Sequence, residues 1–502
     1  MKDLLLAIDQ GTSGCKITIF DTAGQVVSSV TKSYPTYYPE EGFVEQKPEE
    51  WWQVIKEGIQ SMLEEDAICP TAIKGIGIDG TSWACIPVNQ SGDVLYPAMI
   101  WLDRRAGKQA DWMKEKLNEE ALIALSGNPV DPAYITPKML WLKENRPDLY
   151  QQTDKFLQSN AYIAFKLTGK YSQDYSQCYG FHFFNMKTGQ WDETVADALG
   201  ISLDLMAPIM QSHDVVGHVT EEVAKATGLS VGTPVVAGGL DAACCTLGAG
   251  VIHEGQTQEQ GGQAGGMSIA LSQPVIHPKL ILGYHVIPNM WLLQGGTTGG
   301  GGTLNWFNRE FGHAEQQEAL EKDSNPFAVM SEEASAIPPG SDGILFLPYM
   351  KGERSPLWNS QAKGVYYGLS FDKTRAHMIR STMEGVAYAL RHNLETAEET
   401  GIQVGKLSSV GGSANSHVWT QLKADITSRT IEVPYSDHAT TLGAAILAGV
   451  GVGLYKDFED AVKQTVSIQR THEPHQERVE TYNTCYHNYL ELSHLFVRSL
   501  WS

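Results

Sequence analysis

The sequence predicts an α/β protein with two lobes around a shared cleft. Two observations carry that prediction. The chain has 502 residues, more than one hydrophobic core usually serves. It also contains a strand–glycine turn–strand unit twice. In the first, Leu4–Ile8 is apolar, Asp9-Gln-Gly-Thr-Ser-Gly14 turns, and Lys16–Phe20 leads out. In the second, Thr257–Gln260 enters Gly261-Gly-Gln-Ala-Gly-Gly266 and Met267–Leu271 leads out. We read the second as a degenerate repeat of the first.

In chain order, strands are expected at 4–9, 16–21, 74–79 and 84–88, with a helix near 48–64. Residues 107–170 read as mainly helical, with apolar stripes through Trp141-Leu142 and Tyr162–Leu167. Gly232-Thr-Pro-Val-Val-Ala-Gly-Gly-Leu-Asp241 reads as a buried strand ending in glycines and an acid. The run Gly295–Gly302 is either a flexible linker or a close backbone approach to a ligand; a helix starting at Thr303 favours the ligand. A helix is expected from Ser416 with Trp419, Leu422 and Ile426 on one face. Thr440–Ala448 reads as a tightly packed helix. The boundary falls at 245/246, giving domains 1–245 and 246–502, the second ending in a polar helical tail from about 457.

Composition narrows the function. Hydrophobic residues make up 42% and charged residues 19%, as in a globular protein. A formal net charge of −21 repels nucleic acid and anionic membrane, so neither is expected as a partner. No apolar run is long enough for a bilayer, and the first residues lack a signal-peptide pattern. The seven cysteines (15, 69, 85, 178, 244, 245, 485) form no C-x-x-C pair. That fits reduced thiols and a cytoplasmic location; Cys244-Cys245 reads as core packing.

The chemistry-bearing residues lie at the glycine junctions. A glycine turn lets backbone N–H groups approach an anion, and Thr12 and Ser13 add hydroxyl donors. Asp9 beside a phosphate requires a cation, so the turn reads as a phosphate and Mg²⁺ site or as an ordinary hairpin. Asp241 sits after a buried strand, where α/β proteins place ligands; it is a helix cap or a proton acceptor. Gly411-Gly-Ser-Ala-Asn-Ser416 is a third glycine loop, suited to adenine or ribose or serving as a plain connection.

Together these segments resemble the FGGY carbohydrate kinases. The resemblance rests on Asp9-x-Gly-Thr-Ser-Gly14, Gly238-Gly-x-Asp241, Gly411-Gly-Ser-Ala414 and Gly364–Glu384, and spans nearly the whole chain in order. It implies two ribonuclease-H-like domains of the actin-like ATPase superfamily flanking a central cleft, and ATP-dependent phosphorylation of a small sugar hydroxyl. Asp241 matches the catalytic base and Asp9 the acid that holds Mg²⁺. Gly11, Thr12 and Ser13 match the first phosphate loop, with Lys16 in reach of the phosphates. Gly262, Gln263, Ala264 and Gly265 match the second, where Gln263 and Ala264 replace hydroxyl residues. Gly301, Asn305, Gly412, Ser413, Asn415 and Ser416 fall where relatives contact the nucleoside. On the sugar side the resemblance points to Ser82, Trp83, Asp103, Tyr134 and Asp241. Trp83 either stacks on a sugar or is core; Asp103 binds sugar hydroxyls, or Arg104 or Arg105 pairs with it. Members acting on glycerol carry Arg-Glu where Ser82-Trp83 stands, which argues against glycerol. Ala242 removes one expected sugar contact. The nearest members in kind act on xylulose and gluconate. The expected substrate is a pentulose such as D-xylulose, with gluconate or another sugar acid or polyol as the alternative. A non-catalytic actin-like nucleotide-binding protein is the reading from another class. Relatives often form homodimers, and a homodimer is the expected assembly.

Overall fold

The computed structural model describes residues 2–501. Two seven-stranded sheets repeat one plan. In the first lobe β1 (Leu4–Gln10), β2 (Gly14–Asp21) and β3 (Val26–Ser33) form an antiparallel meander. β4 (Ile73–Gly80) joins the other side of β1 in parallel. β5 (Val215–His218), β6 (Pro234–Val236) and the short β7 (Gly239–Leu240) extend that edge, giving the order β5-β6-β4-β1-β2-β3 with β7 on β4.

The second lobe copies it. β8 (Thr257–Gly261) and β9 (Gly265–Leu271) are the hairpin, and β10 (Ile281–Tyr284) and β11 (Trp291–Thr297) continue beside β9. β12 (Leu407–Val410) lies parallel to β8, β13 (Ile431–Pro434) parallel to β12, and β14 (Ile468–His472) closes the edge. The repeat read from the two glycine turns is therefore a repeat of whole sheets, and the fold is the expected two-lobed α/β arrangement. The tail departs from expectation. β14 is a strand of the sheet, so residues from 457 onward complete the lobe as well as capping it. Only His472 of β14 is buried, which hid the strand from apolar patterning.

β1 is apolar without alternation because both its faces are covered. Leu4, Leu6 and Ile8 enter one core with Trp51, Ile55 and Ile59. Those three line one face of α1 (Pro48–Glu65), which starts with Pro at its first position and two glutamates in its first turn. Leu5 and Ala7 enter a second core with Ala444 and Ala448.

The helices that frame the site follow in order. α2 (Ile135–Asn145) and α3 (Ser159–Thr168) lie in the first lobe. α4 (Asp241–Gly248) leaves the end of its sheet. α5 (Gly301–Phe311), α6 (Pro326–Ser335), α7 (Arg375–Glu398) and α8 (His417–Thr427) belong to the second. α9 (Ala439–Gly451) crosses back against the first lobe, and α10 (Gln476–Ser499) ends the chain. α4 and α9 touch backbone to backbone: a Cβ on Gly443 would lie 1.9 Å from the Cys244 carbonyl, and one on Gly248 1.8 Å from the Ala439 carbonyl. Glycine at those positions lets the two crossing helices pack. On α7, Arg380 Nε donates to Glu384 at 2.9 Å and the Tyr482 hydroxyl donates to the same carboxylate at 3.0 Å, which ties α10 to the second lobe.

Candidate active site

Three carboxylates gather at the ends of neighbouring strands. Asp9 is the penultimate residue of β1, and the parallel register sets Asp79 of β4 beside it. Gly239 of β7 pairs with Asp79 from the other side, and Asp241 follows two residues later. Across the hairpin Lys16 is the register partner of Asp9. Burial raises the Asp9 pKa, opposed by its contact with Asp79 and by the Lys16 charge. Asp79 is fully buried and no donor reaches either of its oxygens. Burial, then the neighbouring Asp9 charge, push its pKa well up. Burial also pushes Asp241 to about 7, with Asp9 adding to the shift.

The backbone before Asp241 is held from behind. Gly238 has φ +73°, and a Cβ there would sit 1.9 Å from the Ile78 carbonyl. The Leu240 N–H donates to the Ser176 hydroxyl at 2.8 Å. That hydroxyl in turn donates to Asp174, which also accepts from Asn160 at 2.8 Å. Asn160 donates a second bond, 3.1 Å, to the Ala237 carbonyl. The Ala242 N–H bonds Asp241 Oδ1 at 2.6 Å. One Asp241 oxygen is thereby oriented, and among the described residues no donor reaches the other.

The two hairpin turns offer unspent donors. Among the described residues no protein acceptor takes the N–H of Thr12 or Ser13 in the first turn, nor that of Gly262, Gln263 or Ala264 in the second. The first turn is braced. Trp101 Nε1 donates to the Thr12 hydroxyl at 2.9 Å and Gln46 Nε2 to the Thr12 carbonyl at 2.7 Å. The turn opens with the Gly11 N–H bonded to the Gly14 carbonyl at 3.1 Å. The second turn is clasped by the start of α5. The Gly302 N–H bonds the Gln263 carbonyl at 3.1 Å, and a Cβ on Gly300 would lie 2.3 Å from Ala264 backbone. The glycine run 299–302 is thus packed backbone on backbone, not a flexible linker.

A cavity of about 610 Å³ opens beside that clasp. Gly262, Gln263, Gly301, Asn305, Gly412, Ser413, Asn415 and Ser416 all line it, with Phe327, Ala328 and Ser331 of α6 opposite. Ala264 and Gly265 are not part of its lining. α8 begins at this wall, its Ser416 side chain capping the Trp419 N–H at 3.1 Å. Beneath the wall Lys423 donates to Glu259 at 2.6 Å and to the Ser413 hydroxyl at 2.7 Å. The volume and the mix of flat glycine backbone with two aromatic rings, Phe327 and Trp419, suit a nucleoside.

An aromatic cluster stands on the first-lobe side. Trp83, with φ +56°, stacks on Tyr134 at 4.2 Å between ring centroids, and Tyr179 lies 5.6 Å from Trp83. Ser82 contacts the Tyr179 hydroxyl. Trp83 Nε1 and the Tyr134 hydroxyl are buried without partners. Buried Lys138 of α2 donates to the carbonyls of Trp83 at 2.9 Å and Ile100 at 2.7 Å, fixing the two loops around the cluster. Asp103 corrects the sequence reading. It is fully buried, accepts the Val44 N–H at 2.6 Å and pairs with the Arg105 guanidinium at 2.6 Å. Its carboxylate is spent on loop structure, as the pairing alternative anticipated, and does not face a sugar.

Sequence reading missed Asp79, Asp174, Ser176 and Lys138. Asp79 carried a signal, an acid at the end of an apolar strand next to Asp9. Ser176 and Lys138 are known only through contacts across long stretches of chain, and Asp174 through its bond to Ser176.

Residues 4–248 match the N-terminal domain of the FGGY family of carbohydrate kinases, and residues 265–452 match its C-terminal domain. A xylulose kinase of Staphylococcus epidermidis is 32% identical over 97% of this chain and 96% of its own length. A gluconokinase of Bacillus subtilis is 30% identical over 99% and 96%. The crystal structure of a ligand-bound xylulose kinase from Lactobacillus acidophilus superposes with a TM-score of 0.90 at 25% identity, covering 99% of both chains. With both lobes matched in order and relatives aligned over nearly their full lengths, the chain belongs to the FGGY family of carbohydrate kinases.

Proposed function

We propose that this carbohydrate kinase transfers the γ-phosphate of ATP to a hydroxyl of an uncharged ketopentose such as D-xylulose. The observation that favours a neutral sugar is the state of the cations around the aromatic cluster. Arg105 is bound to Asp103 and Glu45, Arg104 to Asp131, and Lys138 to backbone carbonyls. None of these three is left to hold a sugar-acid carboxylate, burial keeps His182 beside Tyr134 neutral, and an unpaired carboxylate against aromatic rings is costly. The similarity to xylulose kinases agrees with this reading, while the gluconokinase similarity makes gluconate the competitor. A panel of ketopentoses, polyols and gluconate with coupled ADP detection tests it. Turnover of gluconate with no ketopentose turned over overturns it.

In this mechanism Asp241 accepts the proton of the attacking hydroxyl as its oxygen bonds to the γ-phosphorus and the bond to the β-phosphate oxygen breaks, releasing ADP. A carboxyl near 7 is matched to that work at neutral pH. The free N–H groups of the two turns, Ser13 and Lys16 cradle the phosphates. The cavity lined by Gly412 and Asn415 takes the nucleoside, and Trp83 and Tyr134 take the sugar. The residues fit Mg²⁺: Asp9 and the buried Asp79 stand at the same level of adjacent strands, and no donor reaches the Asp79 oxygens. When bound, Mg²⁺ would neutralise phosphate charge. The division at 245/246, the cytoplasmic location, which the seven free cysteines favour, and the homodimer remain parts of this proposal.

A further inference from the structure

We propose that Asp79 is a second carboxylate of the divalent-cation site, so that this chain loads its cation on Asp9 and Asp79 before nucleotide arrives. The inference rests on the Mg²⁺-dependent kinase reading and adds a residue and an order of binding to it.

Three observations support it. Parallel register puts Asp9 and Asp79 at the same level of adjacent strands, on one face of the sheet. Asp79 is 0% exposed and, apart from the contact between its carboxyl group and that of Asp9, neither oxygen meets a donor. A serine or threonine at the end of β4 would fill similar space and carry no charge, so the carboxylate is not explained by packing. A buried carboxylate without a donor must be neutralised by a proton or by a cation.

Charge balance decides between them. The Asp79 charge lies against Asp9 and Asp241, and Lys16, the lysine beside Asp9, is shared with Asp437. The chain as a whole carries −21, and the incoming nucleotide is a polyanion. A proton on Asp79 removes one negative charge and offers the phosphates nothing. A divalent cation removes two and presents open coordination positions to them. Among the described residues no three acidic, histidine or cysteine side chains lie close enough to hold a metal by themselves. The two aspartates therefore supply part of a shell that water completes and phosphate oxygens later enter. Mg²⁺ commonly binds this way, on one or two carboxylates.

The test uses Mn²⁺ alone, with the full-length protein and neither nucleotide nor sugar. Free Mn²⁺ is read by electron paramagnetic resonance, and Mg²⁺ is used as competitor. Wild type is expected to bind one Mn²⁺ per chain that Mg²⁺ displaces. Asp79→Asn is expected to bind at least tenfold more weakly, with circular dichroism and thermal melting showing an intact fold. Asp9→Asn gives the reference loss. If Asp79→Asn binds Mn²⁺ within twofold of wild type while Asp9→Asn loses it, Asp79 is a neutral acid that braces Asp9, and the proposal fails. If wild type takes up no Mn²⁺ at millimolar concentration without ATP, loading before nucleotide fails. The substrate panel is independent of this measurement, so failure of the ketopentose reading is distinguishable from failure of the cation site.

Discussion

The Ser176 hydroxyl accepts the Leu240 N–H at 2.8 Å, one residue before Asp241. The contact spans 64 positions of sequence and fixes the point where β7 gives way to α4. Ser176 touches neither substrate nor phosphate in the proposed mechanism, so its role is positioning. Ser176→Ala leaves a buried N–H unsatisfied and frees the Asp241 backbone. We expect kcat to fall about tenfold, equivalent to about 1.4 kcal/mol, with KM for ATP unchanged. Ser176→Thr, which keeps the hydroxyl, is expected to recover part of the loss. Steady-state kinetics with ATP and sugar varied separately decide it; an unchanged kcat in Ser176→Ala removes the positioning role.

Asp241 links activity to pH and stability. Burial raises its pKa from an ordinary 3.8 to about 7, so kcat/KM for the sugar is expected to fall as pH drops through a midpoint near 7, not near 4. The folded protein holds this proton more tightly than the unfolded chain. The stability it contributes is complete below 3.8 and is lost as pH rises through 7. Asp241→Asn removes the buried charge. At pH 8 it is expected to raise stability by on the order of 1–3 kcal/mol, a few degrees in Tm, while abolishing nearly all phosphorylation. Retained turnover, or a rate flat down to pH 5, contradicts the assignment of the base.

The hairpins were legible because their signals are local. Apolar runs, glycines and one acid fall within the seventeen residues Leu4–Phe20, and the doubled unit accounts for both sheets and the cleft. The nucleotide wall was legible for the same reason: Gly411–Ser416 is a continuous loop. Ser176 and Lys138 were not legible, because each acts through a partner far along the chain, and Asp174 reaches Leu240 only through its neighbour Ser176. Asp103 misled because its motif shows an acid between a tryptophan and arginines, while only the fold shows that Arg105 closes on it. β14 was missed because an edge strand with one buried residue lacks the alternation that marks strands.

Trp83 and Tyr134 test the sugar side. Their indole N–H and phenol are buried without partners, as expected of groups that a sugar hydroxyl completes. Trp83→Phe keeps an aromatic face and removes the donor; a lost hydrogen bond to a neutral group costs about 1 kcal/mol. We expect KM for the sugar to rise roughly fivefold, with KM for ATP unchanged. Equal changes in both constants indicate a general disturbance of the first lobe and count against a sugar contact.

Two adjacent glycines separate strain from occupancy at the nucleotide wall. Gly411 has φ +86°, and a Cβ on it would approach Gly261 backbone at 3.3 Å. Gly412 has no such φ, its Cβ would meet nothing within 4 Å, and it lines the cavity. Gly411→Ala should therefore destabilise the fold by about 1–2 kcal/mol, through a left-handed backbone that alanine resists. Gly412→Phe should leave Tm within two degrees or so, because the ring points into open space. That same space is where the nucleoside is proposed to lie, so Gly412→Phe should raise KM for ATP at least tenfold without changing sugar binding in the absence of nucleotide. Calorimetric titration of ADP and of sugar into the folded variant measures the two separately. Unchanged ADP affinity in Gly412→Phe moves the nucleotide out of this cavity.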